Sequence, residues 1–229
     1  MGPPSRDTAA APDITLALIA GGRAERLGGL PKGLLERDGR ALLDWQLGLG
    51  TRFPHVLLVA NDPAPYARFG LPTVGDRVKD RGAPGGVHAA LVSARTPWVL
   101  ALACDMPFVT GAVVDRLLGE PRQGVDAVLF QVGQRLEPLL ALYRTALAGP
   151  WEAALAGAPS FRALLGAFSA RVLPEQALRA VDPTLRAVVS VNTPEDMARY
   201  GLRFPPSTAT MAKDHPSPQA RIPEDGENL

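Results

Sequence analysis

The distribution of apolar and polar positions along the chain predicts an α/β protein. Three continuous apolar runs of strand length stand at residues 14–20, 55–60 and 98–103. Runs of this length without polar interruption are typical of strands buried on both faces, as in a parallel sheet. Segments with helical spacing lie between and after them, at residues 41–49, 87–94 and 113–118. Strands that alternate with helices predict a mostly parallel sheet covered by helices.

The second half of the chain adds a hairpin and several short elements. Residues 125–132 and 136–143 read as two strands joined by a turn that begins at Gly133. Further elements are expected as strands at residues 71–75 and 187–191 and as helices at 146–156 and 160–168. Thr193 and Pro194 suit the N-cap and the first turn of a final helix, because Thr accepts a backbone N–H and Pro needs no donor there.

Composition limits the classes of partner. The chain has 229 residues, 46% of them hydrophobic, with 24 basic and 23 acidic side chains and a formal charge of +1. A balance this even gives no global field for DNA, RNA or anionic lipid, so any phosphate recognition is local. The single cysteine, Cys104, fits a reducing cytoplasm. No apolar run approaches the roughly 20 residues that cross a bilayer, and the N-terminal segment lacks the apolar core of a secretory signal.

The chain is expected to contain one folded domain with two disordered ends. Residues 1–13 read as a disordered leader, residues 14–203 as the domain and residues 204–229 as a disordered tail. The tail contains five prolines, few apolar residues and no periodicity.

Glycines and cations follow the first apolar run. They are Gly21, Gly22, Arg23, Arg26, Gly28, Gly29 and Lys32. Backbone without Cβ atoms lets amide groups approach oxyanions while the cations neutralise charge, so this pattern favours a polyphosphate ligand over a merely solvated surface turn. The spacing does not fit the Rossmann fingerprint. It does not fit the Walker A loop either, because Pro31 precedes Lys32 and Gly33 follows it.

The same segment resembles the signature loop of the nucleotidyltransferases, and of the molybdenum cofactor guanylyltransferases in particular. The matching residues are Ile19-Ala20-Gly21-Gly22, Arg26-Leu27-Gly28-Gly29 and Lys32-Gly33-Leu34-Leu35. Leu27 replaces the family's Met, which conserves volume. Related cytidylyltransferases usually carry Ala-Ala-Gly where this chain has Ala20-Gly21-Gly22, so the resemblance favours guanine. It covers roughly residues 14–202 and implies a three-layer, Rossmann-like nucleotidyltransferase fold.

Four polar residues after predicted strands are further candidates. Asp105 follows the third apolar run, and a carboxylate at the carboxyl end of a parallel strand suits Mg²⁺ beside a triphosphate. The alternative role for Asp105, a helix cap, is better filled by Thr110. Asn61 could equally form an Asx turn, but the family places a nucleotide-contacting Asn there. Asp76 and Asn192 match family positions as well.

Three other features have simpler interpretations. His88 reads as a partly exposed helix residue, since no second histidine lies at metal-binding spacing. Gly85-Gly86 is expected to open the helix at residues 87–94. Glu137-Pro138 stands where some guanylyltransferases have His-Pro, which leaves the acceptor half of the site less defined.

The resemblance implies attack by the terminal phosphate of molybdopterin on the α-phosphorus of GTP, with pyrophosphate leaving. Lys32 and Arg26 would hold phosphates and Asp105 would hold Mg²⁺. The other expected substrate-binding residues are Ile19, Ala20, Gly21, Gly22, Asn61, Asp76 and Asn192. Contacts with cofactor insertion proteins or client molybdoenzymes are also implied. The alternatives are a cytidylyltransferase, a sugar-phosphate nucleotidyltransferase or a non-catalytic adaptor that binds a nucleotide and delivers cofactor.

Overall fold

The computed structural model describes residues 10–20, 30–157 and 160–205. Within these ranges the strands are β1 (Ile14–Ile19), β2 (Glu36–Arg37), β3 (Arg40–Ala41), β4 (His55–Val59), β5 (Thr73–Val74), β6 (Trp98–Ala103), β7 (Ala127–Val132), β8 (Arg135–Arg144) and β9 (Ala170–Leu173). The α-helices are α1 (Leu42–Leu47), α2 (Gly82–Ser93), α3 (Gly111–Leu118), α4 (Ala148–Leu155), α5 (Phe161–Gly166), α6 (Glu175–Arg179) and α7 (Pro194–Tyr200). Short 3-10 helices include Lys32–Leu34, Ala64–Phe69 and Arg186–Val188.

A seven-stranded sheet in the order β5-β4-β1-β6-β8-β7-β9 forms the centre of the described chain. All of its pairings are parallel except those of β8, which runs antiparallel to β6 and to β7. The chain moves outward from β1 to β4 and β5 and then returns to add β6 on the other side of β1. The strand order therefore reverses between β1 and β6, which is where open α/β sheets bind ligands.

The two faces of the sheet are covered by different helices. Leu16 and Leu18 of β1 pack into a core that contains residues of α1, α3 and α6. Ala17 and Ile19 point to the other face, into a core that contains residues of α2, α4 and α5. Successive residues of a strand point to opposite faces, so one continuous apolar run supplies both cores. The predicted three-layer α/β architecture is confirmed.

Several local predictions are also confirmed. The β7–β8 hairpin turns at Gly133-Gln134, as expected. Thr110 caps α3 by accepting a hydrogen bond from the Val113 amide. Thr193 caps α7 with Pro194 at its first helical position, and the Asp196 carboxylate accepts the Thr193 amide in return.

The prediction that Gly85-Gly86 opens a helix is wrong, because α2 begins three residues earlier, at Gly82. Pro84 is tolerated there because it falls in the first turn, where amides lack partners. The glycines instead allow close packing. A Cβ atom on Gly86 would lie 3.1 Å from Cγ2 of Ile19 on β1.

The predicted strand at residues 187–191 is wrong as well. Arg186–Val188 forms a 3-10 helix, preceded by Leu185 in the left-handed region at φ 56°. The Asp182 carboxylate accepts the Ala187 amide at 2.7 Å and holds this turn in place. Val191 is buried in a small core with Leu35, Leu42 and Leu202, against which residues of α7 pack, rather than by strand pairing. The sequence reading also missed β9 and α6, which are short and lie near the edge of the sheet.

Ordered packing begins before residue 14. Ala11 is 5% exposed and its amide donates to the carbonyl of Arg52 at 2.9 Å. At the other end, Arg203 bridges to Glu36 of β2 through two backbone hydrogen bonds. Residues 1–9 and 206–229 lie outside the described ranges, so disorder at either end remains a prediction. None of the described helices is long and apolar enough to cross a membrane.

His88 is fully buried on α2, contrary to the sequence-based interpretation. Neither of its ring nitrogens has a hydrogen-bond partner. The Glu152 carboxylate of α4 lies 3.7 Å from Nε2. Burial lowers the pKa of His88; Glu152 opposes this shift and Arg77 adds to it. The imidazole is therefore kept neutral between α2 and α4.

We expect His88 to make the protein sensitive to acid. The folded-state pKa of His88 lies below the ordinary value of 6.5. The neutral imidazole therefore makes its full contribution to the free energy of unfolding above pH 6.5. That contribution is lost as the pH falls through the folded-state pKa, by about 1.4 kcal/mol for each unit of lowering. Urea unfolding of the wild type and of His88→Leu at pH 5 and pH 8 measures this: the variant should show the smaller pH dependence. His55→Gln, at an exposed histidine, is the control. Equal losses in wild type and His88→Leu would contradict the assignment.

Candidate active site

The strand register aligns polar residues at the carboxyl edge of the sheet. Ile19 pairs with Val59 on one side and with Ala103 on the other, and Val59 pairs in turn with Val74. Asn61, Asp76 and Asp105 each lie two residues beyond these aligned positions. Together with Ile19 and Ala20 they line a cavity of about 390 Å³ at the switch point between β1 and β6. A cavity of this size suits a small-molecule ligand.

Lys32 joins three parts of the chain at this edge. Its Nζ donates to Oδ2 of Asp105 at 3.0 Å and to Oδ1 of Asn192 at 2.6 Å. The side chains of Lys32 and Asp105 are 20% and 16% exposed, so both remain accessible from the cavity. The structure thus brings Lys32 together with two residues that lie 73 and 160 positions away in sequence.

The position of Lys32 depends on close packing beneath it. Gly33 lies against Tyr66 and Cys104, and a Cβ atom on Gly33 would be 3.1 Å from Cε1 of Tyr66 and 3.5 Å from Sγ of Cys104. A larger residue at position 33 would have to displace the segment that carries Lys32. Burial, together with the nearby Asp105 carboxylate, raises the pKa of the Cys104 thiol. This agrees with its interpretation as a packing residue, because a nucleophilic cysteine needs a lowered pKa.

Asp105 is held by backbone contacts on both sides. The amide of Cys104 donates to the Ile19 carbonyl at 3.0 Å, which fixes the end of β6 against β1. The Asp105 carbonyl accepts the Val191 amide, also at 3.0 Å. The buried Gln46 side chain of α1 donates to the Ala103 carbonyl at 2.7 Å. The carboxylate is therefore left free to interact with Lys32 and with a ligand.

Asn61 and Asp76 form a second pair, on the β4–β5 side of the cavity. Asn61 Nδ2 donates to Oδ2 of Asp76 at 2.9 Å, and the Asp76 amide donates to Oδ1 of Asn61 at 2.8 Å. This reciprocal arrangement is not an Asx turn, because the partner lies 15 residues away. The Asx contact belongs instead to the neighbouring Asp62, whose Oδ1 accepts the Ala64 amide.

The glycine-rich loop falls between two described ranges of the chain, which end at residue 20 and resume at residue 30. Gly21, Gly22 and Arg26 lie outside the described residues, so their expected contacts with a nucleotide remain predictions. The flanking residues Ile19, Ala20 and Lys32 all line the cavity, so the two ends of the loop meet there.

The described lining also contains residues that the sequence reading did not select. They are Leu30, Pro31, Asp62, Pro65, Tyr66, Asp80, Gly82 and Leu139 among others. Tyr66 and Gln46 support Lys32 and Asp105 from below. The sequence does contain a signal for the structural role of Gln46, because this amide lies on the otherwise apolar buried face of α1. Tyr66 gave no such signal, because its role depends on contact with Gly33.

The described lining is acidic. It contains the carboxylates of Asp62, Asp76, Asp80 and Asp105 and the single ammonium group of Lys32. The described residues contain no group of three or more His, Cys, Asp or Glu side chains that could hold a metal ion alone. The carboxylate of Asp105 could nevertheless serve Mg²⁺, which takes only one or two protein carboxylates and completes its coordination with phosphate oxygens and water.

Comparison with known proteins relates the chain to one protein family and to several named proteins. Residues 16–172 match the MobA-like NTP transferase domain. The molybdenum cofactor guanylyltransferase of Pseudomonas aeruginosa is 34% identical over 196 residues, which cover 83% of this chain and 96% of that protein. The crystal structure of molybdopterin-guanine dinucleotide biosynthesis protein A from Archaeoglobus fulgidus is 29% identical, with a TM-score of 0.70 over 81% of this chain and 96% of that one.

The fold also extends to a different transferase. The 2-C-methyl-D-erythritol 4-phosphate cytidylyltransferase from Thermus thermophilus superposes with a TM-score of 0.56 at 19% identity, over 80% of this chain and 95% of that chain. At this identity the likeness concerns the fold alone. The architecture therefore does not by itself select the base or the acceptor.

We expect Lys32→Met to weaken triphosphate binding selectively. The substitution keeps the apolar length of the side chain but removes the ammonium group. That group donates hydrogen bonds to Asp105 and Asn192 at the edge of the cavity. Loss of one charge-assisted contact should reduce affinity for a nucleoside triphosphate by about 1.5–3 kcal/mol and leave the parent nucleoside unaffected. Calorimetric titration with both ligands measures the difference. Arg68→Met, which removes an exposed positive charge paired with Asp44, is the control. Equal weakening of nucleoside and triphosphate would show that Lys32 supports the fold instead.

Proposed function

Because the chain belongs to the MobA-like NTP transferase family, we propose that it transfers GMP from GTP to molybdopterin-bound molybdenum cofactor. The products would be pyrophosphate and the guanine dinucleotide form of the cofactor. The observation that carries this proposal is the convergence of Lys32, Asp105 and Asn192 at the switch point of the sheet. The names of the similar proteins support guanine as the base.

The reaction would be an in-line displacement. An oxygen of the acceptor's terminal phosphate forms a bond to the α-phosphorus of GTP, while the bond to the bridging oxygen breaks and pyrophosphate leaves. Such a transfer needs positioning and charge neutralisation rather than a protein nucleophile. Lys32 would orient the phosphates from between Asp105 and Asn192. Arg26 of the glycine-rich loop is expected to add a second cation.

The two substrates would then occupy opposite sides of the cavity. The Asn61–Asp76 pair presents polar oxygen and nitrogen atoms on the β4–β5 side, together with Ile19 and Ala20. We place the guanosine there, with Gly21 and Gly22 as further contacts. The acceptor would approach from the β8 side of Asp105, where Leu139 lines the cavity.

A divalent metal ion belongs to the chemistry of this family. We infer that it is Mg²⁺ and that Asp105 would hold it, because that carboxylate lies beside Lys32 and is partly exposed. The bound ion would offset negative charge on the phosphates. We place the reaction in the cytoplasm, and expect the product to pass to cofactor insertion proteins or to client molybdoenzymes.

The competing functions are separable by one assay. A cytidylyltransferase or sugar-phosphate nucleotidyltransferase would release pyrophosphate with another nucleotide or acceptor. A non-catalytic adaptor would bind nucleotide and release none. We expect pyrophosphate release only when GTP, Mg²⁺ and molybdopterin are all present. Release with CTP and no release with GTP would overturn the guanylyl assignment.

Asp105→Asn should retain the fold and lose activity. The substitution keeps the size of the side chain and its capacity for a hydrogen bond with Lys32 but removes the charge. We expect turnover to fall at least about a hundredfold, equivalent to about 2.7 kcal/mol in the barrier, because electrostatic stabilisation supplies much of the rate enhancement in such displacements. Pyrophosphate release against Mg²⁺ concentration tests this for both proteins. An unchanged rate with unchanged Mg²⁺ dependence would place the metal elsewhere.

Base selectivity provides an independent test. We expect GTP to bind at least about tenfold more tightly than CTP, a difference of about 1.4 kcal/mol. Titration of both nucleotides with Mg²⁺ present measures this ratio. Equal affinities would remove guanine from the assignment and leave a nucleotidyltransferase of other specificity.

A further inference from the structure

An irregularity in β8 lies beside the candidate active site. Leu129 of β7 pairs with Ala141 of β8, but Gln131 pairs with Leu136. A single residue of β7 therefore faces four residues of β8, at positions 137–140. Since β8 is antiparallel, this bulge lies at the carboxyl edge of the parallel strands, where Leu140 pairs with Leu102 of β6. Bulges of this kind redirect side chains and are frequent next to active sites.

The bulge contains a buried carboxylate, Glu137, which pairs with the exposed Arg135 at its edge. Glu137 is 6% exposed, and its Oε1 accepts a hydrogen bond from Nε of Arg135 at 2.8 Å. Burial raises the pKa of Glu137, and Arg135 acts in the opposite direction. The next residue, Pro138, is fixed through its carbonyl, which accepts the hydroxyl of the buried Tyr143 at 2.7 Å. The residue that follows Glu137 is therefore anchored to the buried core of the sheet.

Arg135 connects this pair to the segment that carries Asn192. Its Nη2 donates to the carbonyl of Val188 at 3.2 Å. Three residues later, the Val191 amide donates to the Asp105 carbonyl, and Asn192 accepts from Lys32. Residues 188–192 are thus attached at one end to β8 through Arg135 and at the other end to Asp105 and Lys32.

We propose that Arg135 and Glu137 are positioning residues that hold residues 188–192 against the reacting phosphates, on the acceptor side of Asp105. Glu137 orients the guanidinium of Arg135, and the guanidinium fixes the Val188 carbonyl. The assignment of these residues to the acceptor side rests on the proposed function. The connection from Glu137 through Arg135 to Val188 does not depend on it. The geometry of the pair suits this role, because a bidentate-capable guanidinium can bind a carboxylate and a carbonyl at the same time.

A purely stabilising role explains the pair less well. Arg135 is 64% exposed, and ion pairs that open to solvent contribute little to stability. Burying the Glu137 carboxylate carries a desolvation cost that an apolar side chain at this position would avoid. The pair instead determines where an adjoining loop lies.

Variants at both positions test the proposal, with a control on the same hairpin. Arg135→Met removes the donor to Val188, and Glu137→Gln keeps the shape of the side chain but removes its charge. Arg144→Met is the matched control, because Arg144 faces Asp126 at 3.8 Å at the far end of the same hairpin. The readouts are the dissociation constant for GTP, the kcat and KM for molybdopterin, and the thermal midpoint of the full-length proteins.

We expect each of the two variants to lower kcat/KM for molybdopterin at least about tenfold, with the dissociation constant for GTP changed less than about threefold. In the double variant, Glu137→Gln should add less than about twofold to the effect of Arg135→Met, because Glu137 acts through Arg135. Arg144→Met should resemble the wild type in all readouts. A parallel loss of GTP affinity and thermal midpoint would assign the pair to stability alone and overturn the proposal, as would unchanged kcat/KM.

Hydrogen exchange tests the connection without any substrate. Peptides that cover residues 186–193 should exchange faster in Arg135→Met than in the wild type or in Arg144→Met, since the Val191 amide loses its fixed position. Unchanged exchange would overturn the proposal. If the wild type releases no pyrophosphate with molybdopterin, the proposed function fails while the exchange result still decides the role of the pair.

Discussion

The register of four parallel strands is the constraint on which the site depends. Ile19, Val59, Val74 and Ala103 are aligned across β1, β4, β5 and β6, so the residues that follow them meet at one edge. Because side chains alternate in direction along a strand, a slip of one residue would turn an entire apolar set to the wrong face. Both faces of β1 are buried in large cores, which makes such a slip costly. Packing of the sheet therefore fixes the relative positions of Asn61, Asp76 and Asp105.

Small residues then bring other elements close to this edge. Gly86 lets α2 approach Ile19, and Gly33 lets the segment of Lys32 lie against Tyr66 and Cys104. Protein interiors are packed densely enough that one additional methyl group at such a contact displaces a neighbour. These glycines differ in purpose from those expected to bind phosphate through their amides. The chain uses glycine for close approach in two places where no ligand is needed to explain it.

The sequence predicted the parts of the structure that depend on short-range pattern. The long apolar runs became β1, β4 and β6 nearly residue for residue, and Thr110 and Thr193 cap the helices expected of them. The failures concern features set by tertiary contacts. Residues 187–191 are apolar enough for a strand, yet the Asp182 carboxylate holds Ala187 in a 3-10 turn. His88 gave no sign of burial, because its surroundings come from α4, about 60 residues later in the chain. Lys32 and Asp105 were predicted as site residues, but the link of Lys32 to Asn192 spans 160 positions and no local pattern encodes it.

The charges around the cavity explain why cations outside the described lining matter to the chemistry. Four carboxylates and one ammonium group among the described lining residues give that surface a net negative charge, which by itself repels a triphosphate. The two arginines of the glycine-rich loop, Arg23 and Arg26, would reduce the net charge of these side chains from −3 to −1 without reversing its sign. A divalent ion that arrives with the nucleotide would offset the remaining negative charge. In the proposed mechanism Asp105 would hold the ion only while the nucleotide is bound, because the acidic surface and the negatively charged substrate would share it.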